Sequence, residues 1–119
     1  MIVKFEISRR ARRQIDKIDA WWTGNRPSTH SKFSDELDRA ERLLRENPEI
    51  GIVCAVDRNG NIRRILLSET EYHVYYRYRA DRDEIIVLHV WGLLAVAARG
   101  SERQLTAEEI QRLGQRLGT

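Results

Sequence analysis

The sequence predicts an α+β layer fold, one antiparallel sheet covered by a pair of helices. Three observations carry this. Residues 62–91 hold three runs rich in Ile, Leu, Val, Tyr and Trp, parted by two short polar breaks, Ser68-Glu69-Thr70-Glu71 and Ala80-Asp81-Arg82-Asp83. Such residues suit a pleated, half-buried surface, and breaks this short leave room only for hairpins, so the runs predict a three-stranded antiparallel meander. Upstream, Ala11, Ile15, Ile18 and Trp22, then Phe33, Leu37, Ala40 and Leu44, recur at helical spacing and form one apolar stripe each. Two stripes with a short link read as an antiparallel helical hairpin, and the sheet offers both a common apolar surface.

Taken in order, residues 2–7 alternate, with Val3, Phe5 and Ile7 opposite Lys4 and Glu6, which predicts a half-buried first strand. Ser8 stands where an N-cap is needed. Arg9, Arg10, Arg12 and Arg13 crowd the start of this helix, and three of them fall in its first turn or so, where the dipole disfavours cations. The simpler reading of the cluster is a solvated face; the other is a surface for an acidic partner. Thr23-Gly24-Asn25-Arg26-Pro27 predicts a break, with a second helix opening at Pro27 or Ser28 and ending at Asn47-Pro48. Residues 52–56 read either as a strand or as an ordered loop, and Cys54 within them as buried rather than reactive. Asn59-Gly60 then predicts a hairpin turn, because both residues tolerate positive φ. Near the end, Thr106 and Glu109 have capping-box spacing and Leu105 and Ile110 that of a hydrophobic staple. A short terminal helix follows through Leu113 and Leu117, weakened by ~1 kcal/mol at Gly114. The division expected is a domain over residues 1–100 and a tail over residues 101–119.

At 119 residues and 41% hydrophobic, the chain can bury one core, and at 33% charged it carries a strongly solvated surface. All its basic residues except Lys4, Lys17 and Lys32 are Arg. Arg presents a planar fork to carboxylates and phosphates, which suits nucleic acid or an acidic protein segment; a GC-rich coding sequence explains the bias equally well. With a lone Cys54 and no apolar run long enough for a signal peptide or membrane span, the expectation is a cytoplasmic protein with no membrane contact. No His or Cys recurs at ligand spacing and no Gly-rich phosphate loop is present, so neither metal nor cofactor is expected.

Alternation over residues 72–79 puts Tyr72, Val74, Tyr76 and Tyr78 on one face and His73, Tyr75, Arg77 and Arg79 on the other. Arg63, Arg64, His73, Arg77 and His89, with Glu71 near, are the parts a metal-independent ribonuclease uses. A base takes the 2′-hydroxyl proton, arginines stabilise the phosphorane and an acid protonates the leaving oxygen. The position of His89 stays open: a two- or four-residue loop at 79–84 sets it beside Val74, a three-residue loop opposite His73. Plain cross-strand packing of aromatics and Arg accounts for the same residues, as does phosphate contact and base stacking.

The order of pieces resembles the RelE/ParE superfamily of toxin–antitoxin toxins. After the strand and helical hairpin come Arg63-Arg64-Ile65-Leu66-Leu67, Tyr72-His73-Val74-Tyr75-Tyr76-Arg77 and Ile86-Val87-Leu88-His89-Val90-Trp91, with Asn47-Pro48 and Gly51 at the family's break. The resemblance implies the fold above and two possible activities. RelE-like members cut messenger RNA on the ribosome with basic residues of the sheet and a C-terminal Tyr or His. ParE-like members lack that set and poison DNA gyrase. Residues 92–100 contain no Tyr, no His and only Arg99, and Val90-Trp91 resembles ParE-type chains, so the expectation is a ParE-like toxin without nuclease activity. It implies a cognate antitoxin as partner, with operator DNA reached only through that antitoxin. The expected contact residues are Arg9, Arg12, Arg13, Tyr75, Arg77, Arg79, Trp91, Leu93, Leu94 and Arg99. The run over residues 93–98 is more apolar than in relatives and reads as a sticky partner site. The alternatives are a ribosome-dependent nuclease built on Arg63, Arg64, His73, Arg77 and His89, or a degenerate member that only binds antitoxin.

Overall fold

A computed structural model of the protein describes residues 3–92. The expected partner residues Leu93, Leu94 and Arg99 and the terminal helix after Leu105 lie outside the described residues. The elements are β1 (Lys4–Ile7), α1 (Arg9–Asn25), a 3-10 turn (Pro27–Thr29), α2 (Lys32–Glu46), β2 (Ile52–Asp57), β3 (Gly60–Leu67), β4 (Tyr72–Arg79) and β5 (Glu84–Gly92). They form one five-stranded sheet in the order β1-β5-β4-β3-β2. β1 runs parallel to β5, and every other pair is antiparallel, so the α+β meander stands as expected.

The two helical stripes cover one side of this sheet. Ala11, Ile15, Phe33, Ala40 and Leu44 pack against Val74, Tyr76, Ile85, Val87 and Val90. Ser8 caps α1, its Oγ accepting from Ala11 N at 3.1 Å. Both inner helix boundaries differ from expectation. α1 continues through Gly24 to Asn25, because the Asn25 side chain donates to Trp21 O at 2.9 Å and Arg26 N to Trp22 O at 2.8 Å, closing the last turn. Pro27 opens only the 3-10 turn, where Thr29 N reaches Arg26 O at 3.0 Å; α2 begins at Lys32.

Residues 52–56 are a strand, but an edge strand. Ile52, Val53 and Val56 are exposed, since β2 lies last in the sheet. Cys54 is half-buried, at a register shift between Val53 and Ala55, and donates to Ile62 O at 3.4 Å. In the following turn only Gly60 takes a positive φ, at 111°, while Asn59 N donates to Asp57 Oδ1 at 2.8 Å. The two breaks without glycine bend at Glu71 (φ 64°) and Asp83 (φ 49°), a conformation that costs a non-glycine residue on the order of 1 kcal/mol.

One irregularity decides the chemistry of the sheet. β4 and β5 are joined by a four-residue loop, with Arg79 opposite Glu84 and Tyr76 opposite Val87. A regular ladder would continue to set His89 beside Val74. Instead the register shifts, and Tyr75 pairs with His89, Val74 with Val90. Leu88 is the extra residue of a β-bulge, a feature that re-aims side chains. Its backbone is held from α1: Ser8 Oγ donates to Leu88 O at 3.2 Å, Ser8 N to Val87 O at 2.9 Å, and Gln14 Oε1 accepts from Val90 N at 2.9 Å. His89 thereby joins His73 and Tyr75 on the side away from the helices.

Candidate functional site

That open side carries a second, smaller core of Ala55, Ile62 and Tyr75, with Cys54, Leu88 and Trp91 packed on it. Rings run across it in contact. His73 lies 6.1 Å from Tyr75, Tyr75 6.4 Å from His89 and 5.7 Å from Trp91, and His89 5.0 Å from Trp91, centroid to centroid. His89 is 1% exposed, and neither ring nitrogen has a hydrogen-bond partner among the described residues. Burial, with the Arg10 charge behind it, lowers its pKa to about 4, so it is neutral at pH 7. His73 is lowered too, by burial and then by Arg64, and its Nδ1 is without a partner among the described residues. Burial raises the Tyr75 phenol, while a hydrogen bond with Arg64 opposes it.

The arginines divide. Arg77 donates to both carboxylate oxygens of Asp57 at 2.8 Å and to Gly60 O at 3.0 Å, a forked bond inside the protein. It braces the β2–β3 hairpin, and the hydrogen bond from Arg77 is the main reason the Asp57 carboxyl sits below its ordinary pKa. Arg63 turns to the chain after α2 and donates to Glu49 O and Gly51 O, both at 2.9 Å. Arg64 is on the open side, and Arg79 has its Nε buried without a partner among the described residues. Arg9, Arg12 and Arg13 are exposed on α1, with no ion pair among the described residues. Of the nuclease set, His73, His89 and Arg64 share the open face, whereas Arg63 and Arg77 are occupied. Among the described residues no group of three or more His, Cys, Asp or Glu is placed to hold a metal, and no helix is long and apolar enough to cross a membrane.

Sequence reading missed two features. Glu36, 7% exposed on α2, accepts from Glu69 N at 2.8 Å, Thr70 N at 3.0 Å and Thr70 Oγ1 at 2.6 Å, and so fixes the β3–β4 turn. Its place between Phe33 and Leu37 on the buried stripe was the available signal. A cleft of about 600 Å³ also opens beside β3, lined by Ala40, Leu43, Ile50, Ile52, Arg64 and Leu66 among others. No local pattern marks it.

Residues 5–92 match the family model for the ParE toxin of type II toxin–antitoxin systems. The chain belongs to the ParE toxin family. Its fold is similar to that of the Escherichia coli toxin RelE, solved in the free state as an arginine-to-alanine double mutant, with a TM-score of 0.51 and 15% identity over 94% of this chain and 98% of that one. No curated protein matches it. As a ParE toxin of the RelE/ParE superfamily, the protein is the toxin of a type II pair, which implies a cognate antitoxin. Within this ParE chain the matched segment takes in both helices and all five strands except the first residue of β1.

Proposed function

We propose that this ParE-family toxin inhibits growth by binding DNA gyrase and trapping it on broken DNA, rather than by cutting RNA, and that its antitoxin neutralises it by covering the binding surface. The observation that carries this reading is the engagement of Arg77 with Asp57. A phosphorane-stabilising arginine must have N–H donors aimed at the developing charge; those of Arg77 are aimed inward at Asp57 and Gly60 O, and Arg63 is similarly spent on two backbone carbonyls. His89, neutral and without a partner at either nitrogen among the described residues, has no relay among them through which to take or give a proton. What stays exposed for contact is Arg9, Arg12 and Arg13 on α1, with the half-buried Arg79 and Trp91 as further contact residues on the sheet; Tyr75, expected among them, is 2% exposed and lies beneath this surface as part of its small core.

The test is induced expression without the antitoxin, followed by cell morphology, the DNA-damage response and primer extension on ribosome-bound messenger RNA. Filamentation and damage signalling over intact messenger RNA are expected. Cleaved messenger RNA without a damage response would overturn the gyrase reading in favour of an endoribonuclease built on the members of the nuclease set that share the open face, Arg64, His73 and His89.

A further inference from the structure

We propose that the cleft beside β3 seats an acidic, apolar segment of the antitoxin, which adds as a short strand along residues 65–67 and places a carboxylate on Arg64. This rests on the toxin–antitoxin reading and names the contact within it.

The cleft exists because β2 is too short. β2 and β3 pair from Asp57 opposite Gly60 only as far as Ile52 opposite Arg64. β3 continues through Ile65, Leu66 and Leu67, paired with Val74, His73 and Tyr72 of β4. On its other side these three residues have no strand among the described residues. Such an edge is a template for an added strand.

Both ends of the gap are fixed. At one end Gly51 N donates to the Tyr76 hydroxyl at 2.9 Å, that hydroxyl donates to Pro48 O at 2.8 Å, and Arg63 holds Gly51 O. A Cβ on Gly51 would lie 2.6 Å from the Tyr76 hydroxyl, so the chain there is drawn as close as glycine allows. At the other end Glu36 grips the β3–β4 turn. A site held this way costs little ordering when it binds.

Its lining states the ligand's chemistry. Leu43, Ile50, Ile52 and Leu66 are exposed by 42, 52, 67 and 49%, a concentration of large aliphatic side chains around one groove. Arg64 lines the same groove, is 9% exposed, and has no carboxylate within ion-pair distance among the described residues. A nearly buried guanidinium whose hydrogen-bond partner among the described residues is a phenol is under-compensated, and an incoming anion completes it. Arg39 on the rim is already paired with Glu69 at 3.0 Å. A strand alternating aliphatic and acidic side chains offers both elements at once. A nucleic-acid backbone would supply the anion but set its next phosphates against aliphatic walls.

The experiment uses the full chain and the antitoxin encoded by the adjoining reading frame. Hydrogen–deuterium exchange is measured with and without antitoxin, and affinity is measured for wild type, Arg64→Gln, Leu66→Glu and the control Arg58→Gln in the exposed hairpin turn. Expected are slowed exchange at residues 65–67 and an affinity loss on the order of 30-fold or more for the two cleft variants, with none for the control. Tight binding with unchanged exchange there and no loss in either variant overturns the cleft assignment and leaves the toxin reading standing. Absence of antitoxin binding, together with no growth inhibition by the free chain, overturns the toxin reading and this contact with it. A parallel titration uses single-stranded RNA of about 20 nucleotides, a length that spans several phosphate contacts. Protection of residues 65–67 by that RNA and not by antitoxin, lost in Arg64→Gln, overturns the peptide assignment in favour of nucleic acid. Unfolding midpoints of all variants separate loss of binding from loss of fold.

Discussion

Replacing Arg77 by Ala should lower the stability of the fold by about 2–4 kcal/mol. The Arg77 side chain is 8% exposed and that of Asp57 19%. Removing one member of a fully buried pair costs about 3–5 kcal/mol, because the other charge is stranded. Here Asp57 touches solvent and keeps the Asn59 N–H, so part of that cost is returned by rehydration. The lost bond to Gly60 O adds about 1 kcal/mol. Asp57→Ala should cost at least as much, since it strands the more deeply buried partner, and the double mutant should cost less than the sum of the singles by about 1–3 kcal/mol. Urea unfolding followed by tryptophan fluorescence measures all three, with an unchanged m-value as the sign that only stability has moved.

The pair also fixes a pH dependence. Because the folded-state pKa of Asp57 lies below its ordinary 3.8, the unfolded chain binds its proton more readily than the folded one. The stabilisation is therefore complete above 3.8 and disappears as pH falls through the depressed folded value. Arg77→Ala should flatten this acid limb. If instead Arg77→Ala unfolds at the wild-type urea concentration and is inert in cells, Arg77 acts on a target and the reasoning that removes it from the active groups is refuted.

Three further outcomes follow from the geometry. His89→Phe removes two unpartnered buried nitrogens and should leave stability at pH 7 unchanged or raised by about 1 kcal/mol. The folded pKa of about 4 against 6.5 means that the unfolded chain takes up the proton first; wild type is fully stabilised above 6.5 and loses about 3 kcal/mol as pH falls toward 4. Urea midpoints of wild type and His89→Phe should diverge over that window, and parallel midpoints would show His89 to be solvated. Glu36→Ala leaves three donors of the β3–β4 turn without their acceptor and should cost about 2–3 kcal/mol, read as a urea midpoint shift together with faster amide exchange at Glu69 and Thr70. Tyr76→Phe gives up two hydrogen bonds at once and should cost about 1–3 kcal/mol in thermal unfolding, and Gly51→Ala, which drives a methyl at the same hydroxyl, should cost a similar amount.

What the sequence made legible was whatever depends on neighbours along the chain. Ala11 to Trp22 and Phe33 to Leu44 declare their buried faces by spacing alone, Ser8 declares its cap, and Asn47-Pro48 ends α2 where expected. The alternation in β4 grouped Tyr72, Val74, Tyr76 and Tyr78 on one face, and that is the face that meets the helices. Contacts that span the chain left no such trace. Arg77 alternates with tyrosines and looks free; its partner Asp57 is 20 residues away in a turn that was read for its glycine. The cleft arises where β2 stops, and residues 52–56, which read either as a strand or as an ordered loop, carry no local sign of where that stop falls.

The Leu88 bulge shows why a face cannot be assigned from alternation when both sides of a strand are apolar. Ile86, Val87, Leu88, Val90 and Trp91 satisfy either register, so the hydrophobic pattern does not choose. The choice is made from outside, by Ser8 and Gln14, which stand 80 and 76 residues from the backbone groups they bind. α1 thus determines what the opposite side of the sheet presents. Had the ladder run straight, His89 would stand on the helix side beside Val74 and Trp91 beside Tyr72, and the open side would lack both rings. With the bulge, the histidine arrives on that side but nearly sealed, between Tyr75 and Trp91 and with no acid or base within hydrogen-bond distance among the described residues. Proton transfer needs such a partner; contact does not. A surface of ring edges with an under-compensated Arg64 beside it is suited to being covered, and the groups on it that most need covering are those that the residues of β3 and β4 bring there.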